Sequence, residues 1–459
     1  MLRKGLIYFF SFSLLTGCFS PKKSEVTIQD LVQIKEAGEI KAVTLYGSTS
    51  YFQYKMEEMG YEYDLIKDFA YSNDLNLKIL VAESVPELIE MIKTGEADVA
   101  AYPIFVNNEL KKDVLFCGYE ELTSQVLVQR SNKGDTIIGN VTELIGKDIH
   151  VKANTKYAER LHNLNEELGG GLRILEVHED SVTTEDLIEQ VSKGEISYTV
   201  SDDNLARLNK TYHWNINVNL NISFTQRSSW IVNKKSPDLA AAINEWSSNN
   251  TGKRVFRATV KRYFELSKIP ELSEIPDIKN GHISPYDSSF KKHAPTLGWD
   301  WQLLASIAYQ ESRFNTRVVS WAGAQGLMGI MPGTARGFGV SPHELQDSDI
   351  SIHTAVRCLA EFRKGFQKIT EPQEKIKFTL AAYNAGIGHI YDAQKLAVKY
   401  GKNPYIWDNN VAEYIRLKSE PSYYNDSICK HGYLRGSETA NYVSQIMKRY
   451  AYYKERTKS

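Results

Sequence analysis

The sequence predicts two structural classes in one chain: a multidomain protein with a bilobed α/β module followed by an all-α domain. Three observations predict this. Residues 27 to about 265 alternate short apolar runs with amphipathic helical segments, the pattern of α/β layers. Within that stretch Leu88-Ile89-Glu90-Met91-Ile92-Lys93-Thr94-Gly95-Glu96 is echoed 99 residues on by Leu187-Ile188-Glu189-Gln190-Val191-Ser192-Lys193-Gly194-Glu195, and each is followed by a strand-like run. Beyond a break marked by Pro270, Pro276, Gly281 and Pro285, only helical periodicity is found.

In chain order, strands are predicted at Ile40–Leu45, Leu77–Val81, Val99–Tyr102, Gln125–Val128, His150–Val151 and Tyr198–Val200. Helices are predicted at Tyr63–Tyr71, Val85–Thr94, Tyr157–Leu168 and Thr184–Lys193. In both echoed runs a glycine after the last helical turn suits a left-handed C-cap. The repeat implies two similar lobes with a cleft between them. Past the linker, helices are predicted at Trp301–Phe314, capped by Asp300, and at about 351–366, 374–385, 388–400 and 437–455, the last capped by Ser437.

The chain's 459 residues suggest two to four domains at roughly 100–200 residues each. A hydrophobic share of 42% and a charged share of 24% are globular values, which excludes a broadly disordered chain. Lys plus Arg (55) nearly balances Asp plus Glu (56), so no bulk basic footprint for nucleic acid exists. Patterns of the HExxH, GxxxxGK and GxSxG kinds are absent, so no metal or cofactor is implied. Cys117, Cys358 and Cys429 follow no metal-ligand spacing, and no disulfide is expected.

The N-terminus reads as a secretory segment. Arg3 and Lys4 precede an apolar run over residues 5–17 that, as a helix, would be about 20 Å long, short of the about 30 Å of a bilayer core. It ends Leu15-Thr16-Gly17-Cys18, which resembles the bacterial lipobox; a plain signal peptide is the alternative. The resemblance implies lipidation at Cys18 and a membrane anchor facing the periplasm, with the outer membrane expected since Phe19 is not Asp. The expected organisation is signal peptide 1–17, tether 18–26, bilobed domain 27–267, linker 268–285 and helical domain 286–459.

The first module carries Gly60-Tyr61-Glu62-Tyr63-Asp64-Leu65, Gly95-Glu96-Ala97-Asp98-Val99-Ala100 and Tyr198-Thr199-Val200-Ser201-Asp202. These resemble the type 3 periplasmic solute-binding family, which implies closure of two lobes on a small ligand, here a muropeptide or an amino acid, with lobe one taking residues 27 to about 125 plus a return near 222–265 and lobe two the middle. Tyr51, Phe52, Tyr102 and Asp202 are the candidate cleft residues; each reads equally as core or surface. Amino-acid binders of that family carry an Arg near the end of lobe one. The matching stretch here, residues 107–116, has only Lys111 and Lys112.

In the helical domain, Leu304, Ile307 and Ala308 form one helix face, and Glu311 falls on it. A carboxylate on an apolar stripe is costly unless paired or protonated; by position alone Glu311 could equally end a frayed turn in water. Three blocks then follow in order: Glu311-Ser312-Arg313-Phe314-Asn315 with Ser320 to Ala335, Ala381-Ala382-Tyr383-Asn384-Ala385-Gly386, and Glu438-Thr439-Ala440-Asn441-Tyr442-Val443. Together they resemble the lysozyme-like soluble lytic transglycosylase family, over about 170 residues. The resemblance implies peptidoglycan glycan strands as substrate and Glu311 as the single acid/base. It implies Ser320, Tyr383 and Tyr442 as further catalytic residues, with Met328 and Asn384 lining the glycan groove. Asp300 and Glu361 are other carboxylates in the domain, and neither lies in a family block. The family reads Gly-Leu-Met-Gln where this chain has Gly329. A lysozyme-type hydrolase and a cell-wall binding protein with an inert helical half are the competing readings.

Overall fold

The computed structural model describes residues 27–179, 182–266, 268, 278 and 281–457. The secretory segment, Cys18, the tether and most of the linker lie outside the described residues. Among the described residues, no helix is long and apolar enough to cross a membrane.

The described residues form twelve strands: β1 Glu39–Leu45, β2 Phe52–Tyr54, β3 Glu57–Met59, β4 Asn76–Ala82, β5 Val99–Phe105, β6 Val114–Thr123, β7 Gln125–Arg130, β8 Asp148–Lys152, β9 Arg173–Val177, β10 Tyr198–Asp202, β11 Ile216–Asn221 and β12 Gln226–Asn233. They form one five-stranded sheet per lobe, β4-β1-β5-β12-β6 and β11-β7-β10-β8-β9, plus the β2-β3 hairpin. In lobe one, β1 runs parallel to β4 and β5, while β12 is antiparallel to β5 and β6. Both faces of this sheet are covered. Phe69, Trp230, Ile243 and Trp246 fill one side, and Val43, Leu88, Ile92 and Ala100 the other.

The 99-residue echo is structural. Helices Val85–Thr94 and Thr184–Lys193 each end at a left-handed glycine, Gly95 at φ +81° and Gly194 at φ +79°. β5 and β10 then begin at Val99 and Tyr198. The chain passes from lobe one to lobe two at Ser124 and returns between β11 and β12, as the sequence predicts. The two crossings are tied together: Ser124 Oγ donates to Asn221 Oδ1 (3.1 Å), and the Gln125 N–H donates to Ser223 Oγ (2.8 Å).

The C-terminal half is helical, with Trp301–Ser312, Ser348–Lys364, Pro372–Ala385, Ile387–Lys399 and Gly436–Arg456 as its main elements. Leu304, Ile307, Leu359, Ala381 and Ile446 lie fully buried in its core. Two predicted caps are corrected. Asp300 makes no cap bond; its carboxylate accepts from Tyr450 Oη (2.5 Å) and Lys454 Nζ (2.6 Å), charged and phenolic donors that outcompete a backbone N–H. The last helix begins one residue before Ser437, with Arg435 in the cap position.

The strands absent from the sequence reading, β2, β3, β6, β9, β11 and β12, are short or carry polar residues on one face, so their apolar runs are broken. Cys117, Cys358 and Cys429 are all free thiols.

One buried ion pair organises the segment between the last two long helices. Lys418 Nζ lies 2.8 Å from Asp392 Oδ2, and both side chains are fully buried. Asp392 Oδ2 also accepts from the backbone N–H groups of Lys430 and His431 (3.0 and 2.9 Å). Burial by itself raises the Asp392 pKa, but Lys418 and these donors outweigh it and bring it down to about 2. A carboxylate held below its unfolded value, near 3.9, stabilises the fold above that value and loses the contribution as pH falls through about 2. Asp392→Asn should therefore cost about 3–5 kcal/mol at neutral pH by leaving a buried ammonium unpaired. In denaturant titrations the gap from wild type should narrow between about pH 4 and about pH 2.

Candidate active site and ligand cleft

Glu311 occupies the last turn of helix Trp301–Ser312, whose residues Leu303 to Ala308 are all fully buried. The helix is stopped sharply. Arg313 (φ +51°) and Phe314 (φ +65°) take left-handed conformations, and Ser312 Oγ donates to Ala308 O and Leu327 O. That last bond fastens the helix end to the glycine-rich turn 326–330. The Glu311 side chain is only 9% exposed. The predicted alternative, a frayed residue in water, is thus not what is found.

Three groups surround its carboxylate. Tyr442 Oη donates to Oε1 at 2.8 Å. The Gly329 backbone packs against Oε2 so closely that a Cβ there would lie 2.1 Å from that oxygen. The third group comes from the other half of the chain. Lys55 Nζ donates to Oε1 (3.1 Å), to Oε2 (2.9 Å) and to the Gly329 carbonyl (3.1 Å). Lys55 is itself 7% exposed, so this is a buried ion pair between the α/β module and the helical domain.

Lys55 lies at the tip of the β2-β3 hairpin, in a two-residue loop where Tyr54 pairs with Glu57. Lys55 (φ +48°) and Met56 (φ +68°) are both left-handed, as a type I′ turn demands. Such turns favour Asn-Gly, and each non-glycine residue here costs on the order of 1–3 kcal/mol. The hairpin is held on both flanks. Glu57 Oε1 accepts from the Gly333 N–H (2.9 Å), and the Tyr54 ring packs 5.4 Å from Trp321. Lys55 also lies 5.5 Å from the centre of the Tyr383 ring.

The other predicted residues divide. Tyr383 Oη donates to the Met328 carbonyl (2.8 Å), which braces the turn that carries Gly329. Burial, and then the Glu311 charge, hold the Tyr383 and Tyr442 phenols well above their ordinary pKa, so both remain O–H donors. The Met328 side chain is fully buried in the helical core, so the residue meets the site through its backbone. Asn384 Oδ1 accepts from Thr439 Oγ1 (2.7 Å). Ser320 Oγ accepts from the Ala324 N–H (3.0 Å) within its own loop. Of the other carboxylates, Glu438 lies nearby, accepting from Tyr54 Oη (3.4 Å) and held above its ordinary pKa chiefly by burial, whereas Asp300 is tied to Lys454 and Glu361 to Lys364 on an exposed face.

In the α/β module, a cleft of about 560 Å³ opens beside the two crossings, bounded by Phe105, Gln125, Arg160, Asp202 and Phe224 among others. Asp202 accepts from Lys156 Nζ (2.6 Å) and Tyr157 Oη (3.2 Å). Burial, then the Asp202 charge, raise the Tyr102 pKa to about 12. Tyr51 and Phe52 are not part of this cleft, which corrects the sequence expectation. Phe52 opens the hairpin and Tyr51 precedes it: Tyr51 Oη donates to Glu58 Oε1 (2.6 Å), and Phe52 meets Tyr433 of the helical domain edge-on. An arginine does reach the cleft from lobe two. The Arg160 guanidinium, however, is engaged by Glu167 (2.6 and 2.9 Å) and Ile222 O (2.6 Å).

Further contacts join the helical domain to both lobes. Arg262 of lobe one donates to Trp321 O (2.9 Å) and Ala322 O (2.7 Å). Arg435 donates to Asn209 Oδ1 (2.8 Å), pairs with Glu185 (3.3 Å) and stacks 3.8 Å over Tyr212, all from lobe two.

Lys55, Arg435 and the role of Gly329 escape sequence reading. The hairpin is three residues per strand, and nothing in Tyr54-Lys55-Met56-Glu57 signals a partner 256 residues away. The one available signal is Gly329 itself, since a glycine where a side chain is expected implies a close approach.

Comparison with known proteins agrees with this division. Residues 43–266 match the family of bacterial extracellular solute-binding proteins, family 3, and residues 288–406 match the transglycosylase SLT domain. A membrane-bound lytic murein transglycosylase F from Desulfosudis oleivorans is 30% identical over 440 residues, covering 94% of this chain and 93% of the relative. One from Pseudomonas fluorescens is 30% identical over 454 residues, covering 97% and 90%. One from Aeromonas salmonicida is 29% identical over 443 residues, covering 95% and 85%.

Removing the Tyr442 hydroxyl should leave the ring packed and Glu311 less firmly oriented. Tyr442→Phe is expected to lower kcat about 10-fold or more, with KM little changed, in steady-state assays of glycan cleavage.

Proposed function

The chain belongs to the membrane-bound lytic murein transglycosylase F family, and from that membership we propose a non-hydrolytic route for its cleavage of peptidoglycan, held in check by the α/β module. As a lytic transglycosylase it acts on glycan strands in the cell envelope. The observation that carries the mechanism is Glu311: a buried carboxyl at a helix end, oriented by Tyr442, in a domain that matches the transglycosylase SLT domain.

Glu311 in its acid form donates a proton to the glycosidic oxygen between N-acetylmuramic acid C1 and the next sugar. The C1–O bond breaks, and the acetamido oxygen of the same sugar shields C1 as its charge develops. Glu311, now a carboxylate, accepts the proton of the muramic C6 hydroxyl as O6 bonds to C1. One bond breaks, one forms, the carboxyl is restored, and no water enters. An internal hydroxyl has a large effective-molarity advantage over water. Ser320 is assigned to contact the acetamido group, and Asn384 and the Met328 backbone to the wall of the glycan groove.

The conformation described here is a resting one on this reading. A general acid must come within about 2.6–3.2 Å of the oxygen it protonates. Lys55 already fills that position, because both carboxylate oxygens accept from it. Withdrawal of the hairpin clears the site, and ligand binding between the lobes supplies the differential affinity that withdrawal needs. The cleft around Asp202, Lys156 and Tyr157 suits a small zwitterion such as an amino acid or a muropeptide. Lipidation at Cys18 completes the proposal by anchoring the protein at the outer membrane.

Purified sacculi digested with the full chain should release muropeptides lighter by one water than reducing-end products, as read by mass spectrometry. Reducing ends throughout would favour the lysozyme-type reading instead. Glu311→Gln should abolish release while sacculus binding persists. Lys55→Ala should raise the rate measured without ligand, and an unchanged or lower rate would remove the hairpin from regulation.

A further inference from the structure

We propose that Gly329 is a positioning residue: by lacking a side chain it lets Glu311 withdraw into the Lys55-paired pose, and so sets how firmly the resting site is held. The inference rests on the reading of Lys55 as the resting-state lock.

The argument is geometric. A Cβ built at Gly329 would lie 2.1 Å from Glu311 Oε2, 2.7 Å from its Cδ and 3.0 Å from its Cβ. All three distances are within repulsive range, and the atoms approached belong to the catalytic side chain. The same glycine supplies the carbonyl that forms the third acceptor for Lys55 Nζ (3.1 Å). Its φ of +61° is the left-handed conformation that a glycine holds without strain. On the opposite side Tyr442 holds Oε1 at 2.8 Å. Glu311 is therefore confined between a phenol and a bare backbone, and Lys55 closes the remaining side.

The turn cannot retreat to make room for a side chain. The Tyr383 hydroxyl pins the Met328 carbonyl (2.8 Å), and Ser312 Oγ pins that of Leu327 (2.7 Å). Gly326, at the start of the turn, is closed in by Leu345 O, which a Cβ there would meet at 2.1 Å. A side chain at position 329 must therefore displace Oε2. The ammonium then cannot keep both carboxylate oxygens and the carbonyl together. A displaced carboxylate weakens the closed state without removing the acid, so the effect on rate is a gain.

Four full-length proteins test this: wild type, Gly329→Ala, Lys55→Ala and the double variant, each assayed for muropeptide release from purified sacculi without added ligand. Gly329→Asn is run in parallel, because Asn tolerates a left-handed φ while carrying the same Cβ. Loss of a charge-assisted bond predicts roughly a tenfold rise in apparent kcat for the position-329 variants, with KM unchanged. In the Lys55→Ala background the same substitutions should add little, because the lock they weaken is already gone.

An equal loss of rate in both backgrounds would overturn the proposal by making Gly329 a requirement of the chemistry. An equal gain in both would assign it to substrate access. No change beside an activating Lys55→Ala would leave the lock standing without Gly329. Failure of Lys55→Ala itself to raise the rate would refute the lock, whatever position 329 does.

Discussion

A carboxylate buried at the end of an apolar helix has to be compensated, and the geometry of the whole molecule follows from how Glu311 is compensated. Desolvating an ion costs several kcal/mol unless hydrogen bonds and opposite charge replace the lost water. Three elements distant in sequence converge for this purpose. The last helix brings Tyr442, the glycine-rich turn brings an uncovered backbone, and lobe one brings Lys55. Each is also structural elsewhere. Tyr442 lies on the helix that packs most closely on Glu311's own, the turn is braced by Tyr383, and the Lys55 hairpin leans on Trp321. The proposed acid is thus also one of the points where the two halves are joined.

Much of the fold was legible because it rests on local periodicity. The helix Val85–Thr94 and its echo Thr184–Lys193 have the predicted bounds, since each combines an apolar stripe with a polar N-cap and a glycine stop. The crossing between lobes also fell where expected. Strands such as β6, with Glu120 and Glu121 in its run, were missed because consecutive polar residues interrupt both faces and break the apolar pattern. Asp300 was read as a cap because a cap is a local device, whereas its actual partner Lys454 is 154 residues away.

The site was legible only where chemistry and local sequence coincide. Glu311 stands out because it breaks an apolar face, and Tyr442 and Tyr383 lie in recognisable blocks. Lys55 has no such mark: its importance comes from tertiary docking, and its turn uses residues with no preference for the conformation they hold. Tyr51 and Phe52 illustrate the same point from the other side. Their aromatic character suggested a ligand cleft, but the Tyr51 ring packs on Tyr63 within lobe one and the Phe52 ring meets Tyr433 of the helical domain.

The Lys55 hairpin has a consequence that comes from covalent connectivity alone. Lys55 and Glu311, the blocking and blocked groups of the proposed resting state, belong to one polypeptide, so their encounter is first-order. For tethered partners the effective concentration is of millimolar order, set by the tether and independent of copy number. As a lock, the hairpin holds equally well in a cell with few molecules and in one with many. Neither overexpression nor dilution through the envelope titrates it away, and a soluble lysine-bearing peptide would compete poorly against it. Control of such an enzyme passes from abundance to the state of each individual molecule.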